Sequence, residues 1–276
     1  GYHGILMEYE VGTYPNLMPH SEDATYTGTY NDAASFERIL AEHGDEIAAV
    51  VLEPVLGAGG IYTASPDFLT RVQTAANNVG ALFVLDEVIT FRLAEGGAQA
   101  LYNVDPDLTM LGKVIGGGFP VGAVGGKVQY MKVCDPVAPK MSHSGTFCGN
   151  PVSMVAGLIS VRELTSERIT KMGILAKRLC NGLMNHASNL KLPLSINRNG
   201  SLINLFFMEE PPATTAFARE DAEFVTNFFL AALNHGLLLA PRGKISLSTV
   251  MDETLIDSVV QRCAAAMEDV AEEVSV

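Results

Sequence analysis

The stretch that decides the fold reads ALFVLDEV at residues 81–88. Five apolar residues followed by two carboxylates are typical of a buried strand that ends in polar side chains. In open α/β sheets, ligands bind at the carboxyl ends of the strands, so Asp86 lies where a site is expected. An acid in this place often only caps the turn that follows, so the stretch alone leaves the role of Asp86 open.

Helices and further strands alternate on both sides of this stretch. Ser65 and Pro66 are typical of a helix start, and Gly80 is typical of a helix end. The remaining predicted elements of this half are a helix at 32–44 and strands at 47–53, 108–111 and 121–125. The alternation predicts an α/β fold in which helices sandwich a mostly parallel sheet.

The pattern changes after a long helical stretch that runs from Pro151 to about Leu190 and is predicted to break near Ser166. Beyond it, strands and helices mix in a way that predicts an α+β unit. The predicted strands are 202–208, 237–240 and 244–248, and the predicted helices are 219–235 and 252–274. We therefore expect a large domain at 1–165 and a small C-terminal α+β domain at 166–276.

The composition disfavours several classes of function. A formal net charge of −13 disfavours nucleic acid and acidic membrane surfaces as partners. The apolar runs are too short to span a bilayer, and the first residues show no signal-peptide pattern. The cysteines form no C-x-x-C pair, which favours reduced thiols and no metal site; they are Cys134, Cys148, Cys180 and Cys263. These observations together predict a cytoplasmic enzyme.

Lys113 lies in the segment DLTMLGKVIGGG at 107–118, between a short apolar strand and a glycine turn. An ammonium in apolar surroundings is costly unless it is covalently neutralised, as in a Schiff base. The alternative is a surface lysine on a turn. A P-loop would need Ser or Thr after Gly112-Lys113, where this chain has Val114, and the glycines at 57–60 have no lysine.

Five motifs are found along the chain, each of them once: VVLEPVLGAGG at 50–60, LDEV at 85–88, DLTMLGKVIGGGFPVGAVGG at 107–126, HSGTFCGNP at 143–151 and APRGKISLS at 240–248. In this set and order they resemble the class III aminotransferases, which use pyridoxal 5'-phosphate (PLP) and have fold type I. The resemblance extends to Gly1–Gly4 (GYHG) and covers nearly the whole chain. It is nearest to glutamate-1-semialdehyde aminomutase and to the β-amino-acid (β-phenylalanine-type) transaminases.

The resemblance implies roles for residues around the cofactor. Lys113 matches the lysine that forms the Schiff base with PLP and then moves the proton as a general acid and base. Asp86 matches the aspartate that pairs with the pyridine nitrogen and keeps it protonated. Val88 matches the aliphatic residue packed under the ring. Tyr2 matches the aromatic residue on the other face of the ring, with His3 beside it.

Two further residues match positions at the edge of the family's site. Thr146 matches the threonine that reaches the cofactor phosphate of the neighbouring subunit, which implies a homodimer with active sites at the interface. Arg242 resembles the arginine that binds a substrate carboxylate in β-amino-acid transaminases, and its guanidinium suits that bidentate contact. The roles of Glu53 and Arg92, which also belong to the family pattern, stay open.

The chain departs from the family at its start and after Asp86. Family members carry more than a hundred residues before the GYHG segment, including the turn that binds the cofactor phosphate at a helix N-terminus. This sequence begins after that turn, and we expect an N-terminally truncated chain with weakened cofactor binding. In DEVITFR, at 86–92, the additional glycine of the mutase-like members is missing, which favours the β-amino-acid branch.

Three hypotheses follow. The first is a PLP-dependent transaminase that moves an amino group between an amino acid, with β-amino acids included, and an oxo acid. The second is an aminomutase of the glutamate-1-semialdehyde type. The third is a truncated, catalytically weak subunit that acts through dimerisation.

Overall fold

A computed structural model describes residues 25–135, 137–138, 140–141, 145–212 and 222–274. The chain divides into two compact units. The first contains the described residues up to Ala58 together with Thr63–Arg162, and the second contains Gly59–Tyr62 and the chain from Glu163 onward.

The first unit is built on a four-stranded sheet. Its helices are α1 (Ala33–His43), α2 (Pro66–Val79), α3 (Gly97–Tyr102), α4 (Val128–Met131) and α5 (Pro151–Arg162). Its strands are β1 (Ala49–Leu52), β2 (Val55–Leu56), β4 (Leu82–Asp86), β5 (Leu108–Gly112) and β6 (Gly122–Gly126). The sheet order is β1-β4-β5-β6, in which β4 pairs in parallel with both β1 and β5, and β6 runs antiparallel to β5. The predicted mostly parallel sheet is confirmed.

Helix α2 shows why the local sequence folds as predicted. The Ser65 hydroxyl accepts a hydrogen bond from the Phe68 backbone N–H at 3.1 Å, which caps the helix start. Gly80 ends the helix in the left-handed conformation, with φ of 79°. The inner face of α2 is buried and packs with β4, and its side chains include Phe68, Leu69 and Val72. This core fixes β4 in the sheet and so fixes where its carboxyl end lies.

The second unit joins an antiparallel sheet to three helices. Its helices are α6 (Ser166–Asn189), α7 (Ala222–Asn234) and α8 (Glu253–Val274), and α8 packs against both others. Its strands are β7 (Ser195–Asn199), β8 (Leu202–Phe206) and β9 (Lys244–Ser246), with β8 in the centre. The short strand β3 (Tyr62–Thr63) pairs with β2. The predicted α+β character of this part of the chain is confirmed.

One predicted strand of the second unit was wrong, and one observed strand was not predicted. Residues 237–240 form no strand, because their backbone groups bond locally: the Leu237 N–H to the Ala232 carbonyl at the end of α7, and the Ala240 carbonyl to the Gly243 N–H. The strand β7 was not predicted, because SINRN contains a single aliphatic residue and gives no clear alternation.

No helix in the described parts of the chain is long and apolar enough to cross a membrane.

Candidate functional site

Asp86 and Lys113 lie at the carboxyl ends of two neighbouring parallel strands. Asp86 is the last residue of β4, and the sheet register aligns it with Met110 on β5. Lys113 comes three residues after Met110, directly beyond the end of β5. The structure therefore brings these two predicted site residues to the same edge of the sheet, the edge at which open α/β sheets bind ligands.

The Asp86 side chain is buried, with 2% of its surface exposed. Its Oδ1 accepts a hydrogen bond from the Val88 backbone N–H at 2.9 Å. This bond fixes the carboxylate relative to the chain that leaves the strand. Asp86 thus holds an acidic group in a set orientation at the end of a rigid strand.

Glu87, the second carboxylate of the pair, is held within the protein by a different network. Its Oε2 accepts hydrogen bonds from the Ala98 backbone N–H at 2.6 Å and from the Thr90 hydroxyl at 2.9 Å, and its Oε1 accepts one from the Gln99 N–H at 2.7 Å. A Cβ on Gly97 would lie 2.5 Å from Oε1, so glycine is needed there. Glu87 therefore anchors the start of α3 to the end of β4.

Burial raises the pKa of the Glu87 carboxyl above its ordinary value, and the neighbouring Asp86 charge acts in the same direction. The three hydrogen bonds act against this rise but do not cancel it. No separate role was predicted for Glu87 from the sequence. The signal in the sequence was the Asp-Glu pair itself. Consecutive residues of a strand point in opposite directions, so the second carboxylate is expected in surroundings different from those of the first.

Lys113 has an unusual backbone conformation. Its φ is 49°, in the left-handed region that residues with a side chain rarely adopt, and it opens a short 3₁₀ turn at Lys113–Gly116. Such a conformation costs about 1–3 kcal/mol and persists only where the surroundings enforce it. The Lys113 side chain is exposed in the described chain, and it is the turn around it that is packed. The apolar setting in the sequence reflects the packing of that turn, in which Gly116 is buried and Val114 and Ile115 are half-buried.

Val88 lies against the end of β5, the strand that directly precedes Lys113. It is buried, and one of its methyl carbons lies 3.3 Å from the position that a Cβ on Gly112 would take. Since Gly112 directly precedes Lys113, Val88 packs at the base of the lysine turn. Asp86, Val88 and Lys113 therefore lie at the ends of adjacent strands, and we call these three residues the strand-end cluster.

Glu53 and Arg92 lie near this part of the sheet. Glu53 is buried, and its Oε2 accepts a hydrogen bond from the Gly57 backbone N–H at 3.0 Å. A Cβ on Gly57 would overlap Ile89, so the loop after Glu53 packs on the residue that follows Val88. Burial lowers the pKa of the Arg92 guanidinium. Both residues thus belong to the packed surroundings of the chain that leaves β4.

Of the other predicted site residues, Thr146 and Arg242 belong to the described part of the chain. Thr146 is exposed, in a turn at residues 146–149 that precedes α5. Arg242 is exposed and belongs to the second unit, in the turn before β9. Tyr2 and His3 lie outside the described residues.

Comparison with known proteins identifies the family. A family model described as class III aminotransferase matches residues 8–270. The glutamate-1-semialdehyde 2,1-aminomutase of Desulfitobacterium hafniense is 40% identical over 239 residues, which cover 85% of this chain and 55% of that protein. The enzyme of the same name from Chloroflexus aggregans is 39% identical over 236 residues, covering 82% and 54%. The chain spans little more than half the length of these curated relatives.

Solved structures of transaminases share the fold. An omega-transaminase from Sphaerobacter thermophilus is 34% identical with a TM-score of 0.88, over 94% of this chain and 60% of that one. A β-phenylalanine aminotransferase from Variovorax paradoxus is 33% identical with a TM-score of 0.79, over 90% and 57%. The predicted fold type I of PLP-dependent transferases is confirmed. With a family model matched over residues 8–270 and relatives at 40% identity, the chain belongs to the class III aminotransferases.

Proposed function

We propose that the protein is a PLP-dependent aminotransferase that moves an amino group between an amino acid, with β-amino acids included, and an oxo acid. The observation that carries the proposal is the strand-end cluster, in which an acid and a lysine lie at the ends of adjacent parallel strands. Family membership and the transaminase structures support the same activity.

The residues of the cluster fit the cofactor chemically. A covalently bound pyridine aldehyde needs a primary amine that can reach it, an anion for its ring nitrogen and an apolar surface for its ring. Lys113 offers an exposed amine, Asp86 a buried and oriented carboxylate, and Val88 two methyl groups. When bound, PLP supplies an aldehyde that takes up the amino group and a protonated ring that delocalises negative charge.

Each side chain then has a defined task. With PLP bound, Lys113 Nζ would hold the cofactor covalently and would act as the general base and acid that moves a proton between the substrate Cα and the cofactor C4′. Asp86 Oδ would keep the ring nitrogen protonated. Val88 would cover one face of the ring, and we assign Tyr2 to the other face with His3 beside it. Arg242 binds the substrate carboxylate with two parallel hydrogen bonds.

We also propose a cytoplasmic homodimer in which Thr146 reaches the cofactor phosphate of the partner subunit. The support is an exposed apolar surface around Thr146 and along α5. Its members are Phe147, which is 82% exposed, and Val152, Val155, Leu158 and Ile159 on the helix. Surfaces of this kind mark interfaces in soluble proteins. In this proposal, residues 1–165 form the cofactor domain and 166–276 the small domain.

An aminomutase is the second candidate, because the curated relatives at 38–41% identity carry that name. The two reactions differ in where the nitrogen ends. A transaminase passes nitrogen to a second molecule, whereas a 2,1-aminomutase moves it between two carbons of one molecule.

Isotope tracing separates the two reactions. The protein is incubated with PLP, a ¹⁵N-labelled amino acid and an unlabelled oxo acid, and the new amino acid is analysed by mass spectrometry. We expect ¹⁵N in the product formed from the oxo acid, and none with Lys113→Ala. Conversion of the labelled amino acid into an isomer with its amino group on another carbon would favour the mutase, and no turnover of any donor would refute the proposed activity.

A further inference from the structure

The turn that carries Lys113 is packed against the backbone of α5. A Cβ on Gly157 of α5 would lie 1.9 Å from the Ile115 carbonyl oxygen and 2.9 Å from its carbonyl carbon. In the other direction, a Cβ on Gly117 would lie 2.4 Å from the Ala156 carbonyl oxygen. The two segments therefore touch through main-chain atoms, which no change of side-chain rotamer can move aside.

A hydrogen bond holds the same contact further along the chain. The Ser153 hydroxyl donates to the Pro120 carbonyl at 2.9 Å, and the Ser153 side chain is buried. Ser153 and Gly157 are four residues apart and so lie on one face of α5. This face meets the residues that follow Lys113, whereas the face with Val155 and Leu158 is exposed.

The packing has a consequence for the conformation of Lys113. Its left-handed backbone is disfavoured by itself and needs to be enforced by its surroundings. The contact at Ile115 lies two residues beyond Lys113, within the same 3₁₀ turn. If that contact opened, Lys113 would be free to return to negative φ. Its Cα–Cβ bond would then point elsewhere, and Nζ would move with it.

We propose that Gly157 is a positioning residue for Lys113: by admitting direct packing of α5 on the lysine turn, it holds the lysine in its left-handed conformation and directs Nζ into the site. The proposal rests on the proposed function, in which Lys113 is the attachment point of the cofactor. Gly157 touches neither substrate nor cofactor in this account.

The test compares Gly157→Ala with Gly173→Ala, a matched control in α6 where a Cβ meets no atom within 4 Å. The added methyl at 157 pushes helix and turn apart by roughly 1 Å, given ordinary van der Waals distances. Well below the unfolding temperature, we expect PLP to attach to Lys113 about 10- to 100-fold more slowly in Gly157→Ala, because a displacement of this size has such effects on reaction rates. We expect wild-type rates in Gly173→Ala.

A second measurement separates positioning from mere stability. PLP is achiral, so the circular dichroism of its visible band, divided by the amount bound, reports how the protein orients it. We expect this ratio to change in Gly157→Ala. A variant with a lowered melting temperature but a wild-type attachment rate and a wild-type ratio would overturn the proposal.

Two further outcomes are also decisive. If Gly157→Ala does not fold, Ser153→Ala takes its place, since it loosens the same contact without added bulk; a wild-type rate in that variant overturns the proposal. If the wild-type protein attaches no PLP at Lys113, the proposed function fails by itself. The rate of Lys113 acetylation is then compared between the cofactor-free wild type and cofactor-free Gly157→Ala. We expect the two rates to differ, and equal rates would refute the inference.

Discussion

Replacing Glu87 by glutamine is expected to lower the free energy of unfolding by about 2–3 kcal/mol at pH 7. The carboxylate accepts three hydrogen bonds, two at Oε2 and one at Oε1. A glutamine has one oxygen, and its least costly orientation keeps the two bonds at the Oε2 position. Its amide nitrogen then faces the Gln99 N–H, a part-buried donor left without an acceptor. Loss of one hydrogen bond to a charged group, with that donor unsatisfied, gives the stated magnitude.

The same variant has a defined pH dependence. Burial raises the pKa of Glu87 in the folded state above its unfolded value, so ionisation of this group opposes folding. The stabilising contribution of Glu87 is fully present at pH values below its pKa in the unfolded state. It falls as the pH rises through its pKa in the folded state. The stability difference between the wild type and Glu87→Gln, which does not titrate at this position, should therefore be larger at pH 5 than at pH 7.

Urea unfolding followed by circular dichroism measures both effects. Glu268→Gln on α8 is the control, because Glu268 is exposed and its substitution should change stability by less than about 0.5 kcal/mol. A Glu87→Gln variant as stable as the control, or a difference that grows from pH 5 to pH 7, would refute the reasoning.

The remaining predictions concern Asp86 and the cysteines. Asp86→Asn should still attach PLP at Lys113 but should slow amino-group transfer by about two orders of magnitude or more, because the ring nitrogen is no longer held protonated; equal single-turnover rates would remove Asp86 from the site. Burial raises the pKa of Cys180 to about 11 and that of Cys263 to about 12, so both should resist thiol reagents at pH 8 until the protein unfolds. Peptide mapping after brief labelling checks this, and modification of either residue in the folded protein would contradict it.

Elements with strong local signals were predictable from the sequence. The serine and proline that begin α2 and the glycine that ends it are short-range signals that act in the same way in most proteins. The apolar run of β4 also sufficed, because a strand covered on both faces needs continuous hydrophobicity. The order of these elements then placed Asp86 and Lys113 at strand ends.

Features that depend on tertiary contacts were not predictable. The left-handed conformation of Lys113 arises from packing in the folded chain, and nothing in the local sequence specifies it. The role of Glu87 depends on donors from residues 90, 98 and 99, which become its neighbours only after α3 forms. Residues 237–240 have the composition of a strand but satisfy their backbone groups locally instead. Nothing in their sequence indicates this local hydrogen bonding.

Covalent attachment of PLP to Lys113 can be measured by borohydride trapping. The protein is incubated with PLP, reduced, digested and analysed by peptide mass spectrometry, with Lys113→Ala treated in parallel. We expect the phosphopyridoxyl group on Lys113, and we expect the visible band of the complex to be absent from Lys113→Ala. A band that persists in Lys113→Ala after dialysis, or a phosphopyridoxyl group on another lysine, would show that Lys113 is not the attachment point.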